Sequence, residues 1–137
     1  MYKNAFVLSP VPPAVQGINF GGRKFYEPRR FPGVLIPPTQ GIYAILVQDA
    51  ACSPRQFRVI YFGESNNLES RICTTHEKYS DWTREASGSQ LYVAYHATIG
   101  MSDAQRRDAE CMLINHYKPS CNVRMDTPSA LKSLLGR

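Results

Sequence analysis

The sequence predicts an α+β fold: a small three-stranded antiparallel sheet flanked by helices, preceded by a proline-rich basic N-terminal arm. Three observations predict it. Residues 41–47, 57–62 and 91–99 are runs of β-branched and aromatic residues of strand length. Residues 66–79 and 103–117 carry apolar side chains at helical spacing. Seven of the ten prolines lie in residues 1–40, where they exclude long helices and disfavour central strands.

The arm, 1–40, holds five Lys/Arg against one Glu, whereas 41–137 holds eleven against ten. The formal charge of +5 is therefore concentrated in the arm. Arg23, Lys24, Arg29 and Arg30 alternate with Phe20, Phe25, Tyr26 and Phe31. Such a mixture can grip phosphates and stack on bases. It can equally pin an arm to a domain through its aromatics while the charges face water. Short extended pieces are expected at 5–8 and 33–36.

The run 41–47 reads as a buried strand and 57–62 as its hairpin partner across a polar connection. In the second run Phe57, Val59 and Tyr61 alternate with Arg58, Ile60 and Phe62, and Gly63 is expected to end the strand. Ser65 can cap the helix over 66–79. Residues 80–90 read as a loop with Trp82 as a packing anchor. The third strand, 91–99, stops at Gly100. Ser102 and Gln105 form a capping-box pattern for the helix over 103–117, which Pro119 terminates. A short helix is expected near 128–135. The length of 137 residues favours one domain, divided into the arm 1–40, a body 41–122 and a C-terminal extension 123–137.

No apolar stretch reaches the length of a membrane span or a signal peptide, so a cytoplasmic protein without a membrane partner is expected. Cys52, Cys73, Cys111 and Cys121 form no C-x-x-C pair, which argues against a zinc site.

Glu110 is the most informative residue. On a regular helix it shares a largely apolar face with Leu113, Ile114 and Tyr117. A carboxylate there needs an ion-pair partner, with Arg71 the natural candidate, or a metal ion. Taken alone, the ion pair is the commoner outcome. Arg71 could instead clamp a phosphate. His76 could accept a proton near neutral pH. It lies five residues after Arg71, which on one regular helix places it on another face, and Tyr79 is the alternative.

Taken in order, Gly-Ile-Tyr (41–43), Tyr-Phe-Gly (61–63), Arg71, His76, Glu110 and Asn122 resemble the GIY-YIG nuclease family over residues 41–122. Phe62 stands where the family has Ile, and the interval between the tyrosines is long enough for an extended hairpin loop carrying Arg55. The resemblance implies a GIY-YIG-like fold and an endonuclease that hydrolyses phosphodiester bonds, with double-stranded DNA the expected partner. It implies one Mg²⁺ or Mn²⁺ per active site, held by Glu110. It further implies Tyr43 as proton acceptor aided by Tyr61 or His76, Arg71 at the phosphate, and Asn122 orienting substrate or water. Arg23, Lys24, Arg29, Arg30, Arg55 and Lys78 are candidate backbone contacts. The alternative is a nucleic-acid-binding module that keeps the fold without cleavage. It would have no need of both tyrosines, Arg71 and Glu110 together.

Overall fold

The structure, a computed structural model, describes residues 17–52 and 56–122. Its elements are β1 (Ile18–Phe20), β2 (Arg23–Phe25), β3 (Arg29–Phe31), β4 (Gly41–Gln48), β5 (Phe57–Ser65), α1 (Leu68–Arg71), α2 (Tyr79–Ala86), β6 (Leu91–Ala97) and α3 (Asp103–Tyr117). The three expected strands are β4, β5 and β6, but the sheet has four strands. β3 joins it from the arm, giving the order β3-β6-β4-β5 with every neighbouring pair antiparallel. β3 escapes a reading based on proline because Pro28 and Pro32 flank it rather than interrupt it. As an edge strand it needs a partner on one side only. No strand forms over 33–36. The expectations at 5–8 and 128–135 lie outside the described residues.

β1 and β2 form a separate ribbon. Phe20 pairs with Arg23 across Gly21 and Gly22, whose φ values of 59° and 82° suit the two-residue turn that closes a hairpin. The ribbon buries Phe20 and Phe25. Phe20 meets Phe62 edge-on at 5.3 Å and Tyr117 at 5.3 Å.

The sheet separates two apolar layers. On one face Tyr43, Ile45, Tyr61 and Val93 pack with Leu68 and Ile72 of the α1 region and Trp82 of α2. On the other, Ile42, Leu46, Val59 and Phe62 pack with the ribbon and with Ala109 and Leu113 of α3. Gly63 does not end β5, which continues to Ser65. Where a single helix is expected over 66–79, α1 stops at Arg71, turns follow over 72–78 and α2 begins at Tyr79. Asn67, not Ser65, caps α1 by accepting from Ser70 N at 3.3 Å. The stretch 80–90 is helical to Ala86, because Tyr79, Trp82 and Ala86 present one apolar face to the sheet. α3 begins with the expected capping box between Ser102 and Gln105. No described helix is long and apolar enough to cross a membrane.

Candidate active site

The site forms at the β5 edge of the sheet, where α1 and α3 approach from opposite faces. β4 lies between β6 and β5, so Tyr43 is fixed within the sheet and fully buried. Its cross-strand partner is Gly63. A Cβ at Gly63 would fall on the Cζ and Oη atoms of Tyr43, so the phenol ring occupies the space a side chain would need. This close approach is why glycine stands inside a strand.

Tyr61 reaches the same face through a change of register. Ile45 faces Tyr61, but Leu46 faces Val59, leaving Ile60 as the extra residue of a β-bulge. The regular alternation expected for β5 would put Tyr61 and Val59 on one face. The bulge instead sends Tyr61 to the layer of Tyr43 while Val59 stays in the layer of α3. The two phenol rings lie 6.1 Å apart between centroids.

Arg71 and His76 come together because the helix between them stops. α1 ends at Arg71, and the turns over 72–78 carry His76 back toward the sheet. His76 N donates to Cys73 O at 3.1 Å and Tyr79 N donates to His76 O at 3.0 Å. The imidazole packs against Trp82, tilted by 42° with centroids 4.5 Å apart, and its Nε2 lies 2.8 Å from Tyr43 Oη. Lys78 N donates to His76 Nδ1 at 2.9 Å. With Nδ1 accepting, a neutral imidazole carries its proton on Nε2 and donates it to the Tyr43 oxygen. Burial, with Arg71 and Lys78 adding to it against Glu77, lowers the His76 pKa to about 4, so the ring is neutral at physiological pH. Tyr79 packs on Phe31 and Trp82, and it is His76 that makes the hydrogen bond to Tyr43.

Glu110 projects from α3 into the same electrostatic neighbourhood. Burial first, then the charge of Glu64, pushes its pKa up to about 7, against the pull of Arg71, Arg106 and Arg107. The ion pair expected between Arg71 and Glu110 does not form. Arg71 is forked onto Glu77, with Nη1 2.8 Å and Nη2 2.6 Å from the two carboxylate oxygens. Arg106 is taken by Glu64 at 2.6 Å, Gln40 at 2.9 Å and Asp103 at 2.9 Å. Among the described residues Glu110 has no ion-pair partner. Burial raises both phenols, Tyr61 to about 12 and Tyr43 further, while the nearby Arg71 guanidinium lowers each.

Asn122 is buried beside β5 rather than turned toward the phenols. Its Oδ1 accepts from Phe62 N at 3.0 Å and its Nδ2 donates to Phe62 O at 2.9 Å. Cys121 N donates to Ile60 O at 2.8 Å. Residues 121 and 122 thus pair with the free edge of β5 and hold the strand that carries Tyr61.

The candidate phosphate contacts are dispersed. Arg29 and Arg30 lie on β3, the opposite edge of the sheet from β5 and about 14 Å away at ordinary strand spacing. Arg23 and Lys24 lie on the ribbon. Lys78, at the site, is 3.7 Å from Asp81. Arg55 is outside the described residues. The sequence reading missed Glu77, Gly63 and Trp82 as parts of the site. Trp82 carried a usable signal in its helical spacing with Tyr79 and Ala86, and Gly63 in its place in the Tyr-Phe-Gly motif, whereas Glu77 carried none.

The fold is similar to solved structures of the GIY-YIG N-terminal endonuclease domain of UvrC from Thermotoga maritima. A point mutant of that domain bound to its catalytic divalent cation aligns at 23% identity over 66% of this chain and 89% of that one, with a TM-score of 0.46. The magnesium-bound form aligns at 22% identity over 65% and 89%, with a TM-score of 0.45. No family model and no curated protein matches the chain.

Proposed function

We propose that the chain is a divalent-cation-dependent endonuclease that hydrolyses phosphodiester bonds, with DNA the expected substrate. The carrying observation is the convergence at one sheet edge of two buried phenols, a histidine donating to one of them, a guanidinium, and a partly buried carboxylate with no counter-ion among the described residues.

Glu110 fits a hard cation. Its oxygens are hard donors, and burial together with Glu64 penalises its negative charge. Glu110 would hold the ion, with water at the remaining positions. When bound, the ion supplies polarisation of the phosphate and stabilisation of the leaving oxygen.

The other roles follow from atoms of the chain. Tyr43 Oη would accept the proton of the attacking water as a phenolate, its own proton having first passed to bulk water. Burial and then the neighbouring Tyr61 oppose that phenolate, while the Nε2–H of His76, the charge of Arg71 and a cation held by Glu110 would favour it. His76 in this tautomer stabilises the acceptor and does not itself take the proton. Tyr61 lines the same wall. Arg71 offsets charge developing on the phosphate oxygens. Asn122 acts through the Phe62 backbone and positions Tyr61.

Cleavage of supercoiled plasmid in Mg²⁺ or Mn²⁺, against EDTA, tests the proposal with wild type beside Glu110→Gln. Cation-dependent nicking that the variant abolishes is the expected result. Retained DNA binding by folded wild type without cleavage would transfer the chain to the binding-module reading. Equal cleavage by both proteins would reject Glu110.

A further inference from the structure

Resting on the nuclease reading of this site, we infer that the Glu77 carboxylate occupies the place of a substrate phosphate on Arg71 and must leave for a phosphodiester to bind. Glu77 is thereby a built-in competitor that sets how strongly charged a ligand must be to enter.

The geometry carries the inference. Two parallel N–H···O bonds, at 2.8 and 2.6 Å, join the guanidinium end-on to both carboxylate oxygens. A phosphate uses the same fork. The guanidinium so engaged is the one whose charge reaches Tyr43 and Tyr61, and it therefore lies at the reacting hydroxyls. Among the described residues, Glu77 is its ion-pair partner.

The carboxylate is both well presented and displaceable. Its neighbour His76 is fully buried and tied to Tyr43 and to the Lys78 backbone, so the turn that carries Glu77 is held in place. The Glu77 side chain itself is 62% exposed and that of Arg71 36%. The pair is open to solvent, so water can take its place, although the two-bond fork holds the Glu77 carboxyl down at about 2 and makes it stronger than an ordinary surface pair. A nucleic acid anchored by several phosphates can displace it, whereas a single monoanion gains nothing by the exchange. If Glu77 stayed in place, its charge would sit against the incoming phosphate, which is unfavourable.

The test is binding of a short fluorescent DNA duplex in EDTA, measured by anisotropy, for full-length wild type, Glu77→Gln, Arg71→Ala, the double variant, and Glu69→Gln. Glu69 is an exposed α1 carboxylate that controls for general charge. Glu77→Gln is expected to bind about five- to tenfold more tightly. The gain should vanish in the Arg71→Ala background, and Glu69→Gln should change affinity by less than about twofold.

Unchanged or weaker binding by Glu77→Gln would overturn the inference and make Glu77 a positioning residue for Arg71. A gain that persists without Arg71 would overturn it as a plain charge effect. Absence of binding by every form would overturn it as well, since nucleic-acid phosphate would then not reach Arg71. Because no cation is present, the outcome is separate from catalysis. Tighter binding by Glu77→Gln without cleavage by wild type would sink the nuclease reading alone. Cleavage without the gain would sink this inference alone.

Discussion

Gly63→Ala is the smallest change that should disable the site. Gly63 lies inside β5 directly opposite Tyr43, and its φ is not in the left-handed region, so alanine is allowed by the backbone. The difficulty is steric. An added Cβ would overlap the ring carbons and oxygen of Tyr43, including Cε1 at 2.7 Å, where ordinary contact begins at 3.4 Å. Tyr43 is fully buried in a central strand and cannot turn into solvent. Relief requires the ring to move by roughly 1 Å, which would cost about 1–3 kcal/mol as overpacking. A shift of that size would stretch the 2.8 Å contact from Tyr43 Oη to His76 Nε2 beyond hydrogen-bond range. Misplacement of a reacting group by about 1 Å costs on the order of 100-fold in rate. Urea denaturation should therefore show a modestly destabilised but folded protein, and plasmid cleavage by that protein should fall about 100-fold. A variant that matches wild type in both assays would refute the claim that Gly63 makes room for the catalytic phenol.

The raised pKa of Glu110 makes protons compete with the cation. The Mg²⁺ concentration for half-maximal cleavage should rise about tenfold when pH drops from 8 to 6, whereas a flat response would contradict the burial of this carboxylate. His76 is neutral when folded, with a pKa of about 4 against 6.5 unfolded, so the unfolded chain binds more protons between those values. The stability of wild type relative to His76→Gln should fall by up to about 3 kcal/mol as pH drops from 6.5 to 4, read by urea denaturation. The comparison is needed because Glu110, with its folded pKa raised, works in the opposite sense over an overlapping window and cancels between the two proteins. Asn122→Ala leaves the buried Phe62 N and O unpaired and should destabilise by about 2–4 kcal/mol in the same assay, with a loss below about 0.5 kcal/mol excluding the strand-holding role.

Periodicity located β4, β6 and α3, because each has one chemical environment along its length. It failed where two environments alternate over a few residues. β5 changes faces at Ile60, and a bulge leaves no mark in a run of apolar residues. The interval 66–86 has enough apolar residues for one long helix, yet it is split by the turns over 72–78. Cys73, Thr74 and Thr75 gave no strong stop signal, being neither Gly nor Pro. β3 was hidden by its prolines, and the Gly-Gly turn of the ribbon was overlooked beside them. The site shows the same division. Tyr43, Tyr61, Arg71, His76 and Glu110 could be named from an ordered set of motifs. The bond between Arg71 and Glu77 could not, because it joins residues six apart across a break in the helix.

That break also explains how the site divides its work. Tyr43 sits in a central strand, Tyr61 in a strand held on its free side by Asn122, and His76 on buried Trp82. In the proposed mechanism these groups handle protons, and proton transfer depends on short, fixed distances. Arg71 and Glu77 lie at the solvent boundary, joined by a pair that water can replace. Phosphate groups arrive with varied geometry, and a guanidinium on an exposed helix end can follow them. A single continuous helix over 66–79 would have placed Arg71 and His76 on different faces. Ending it after Arg71 lets one short segment supply the rigid donor to Tyr43 from His76 and the displaceable ligand to Arg71 from the next residue.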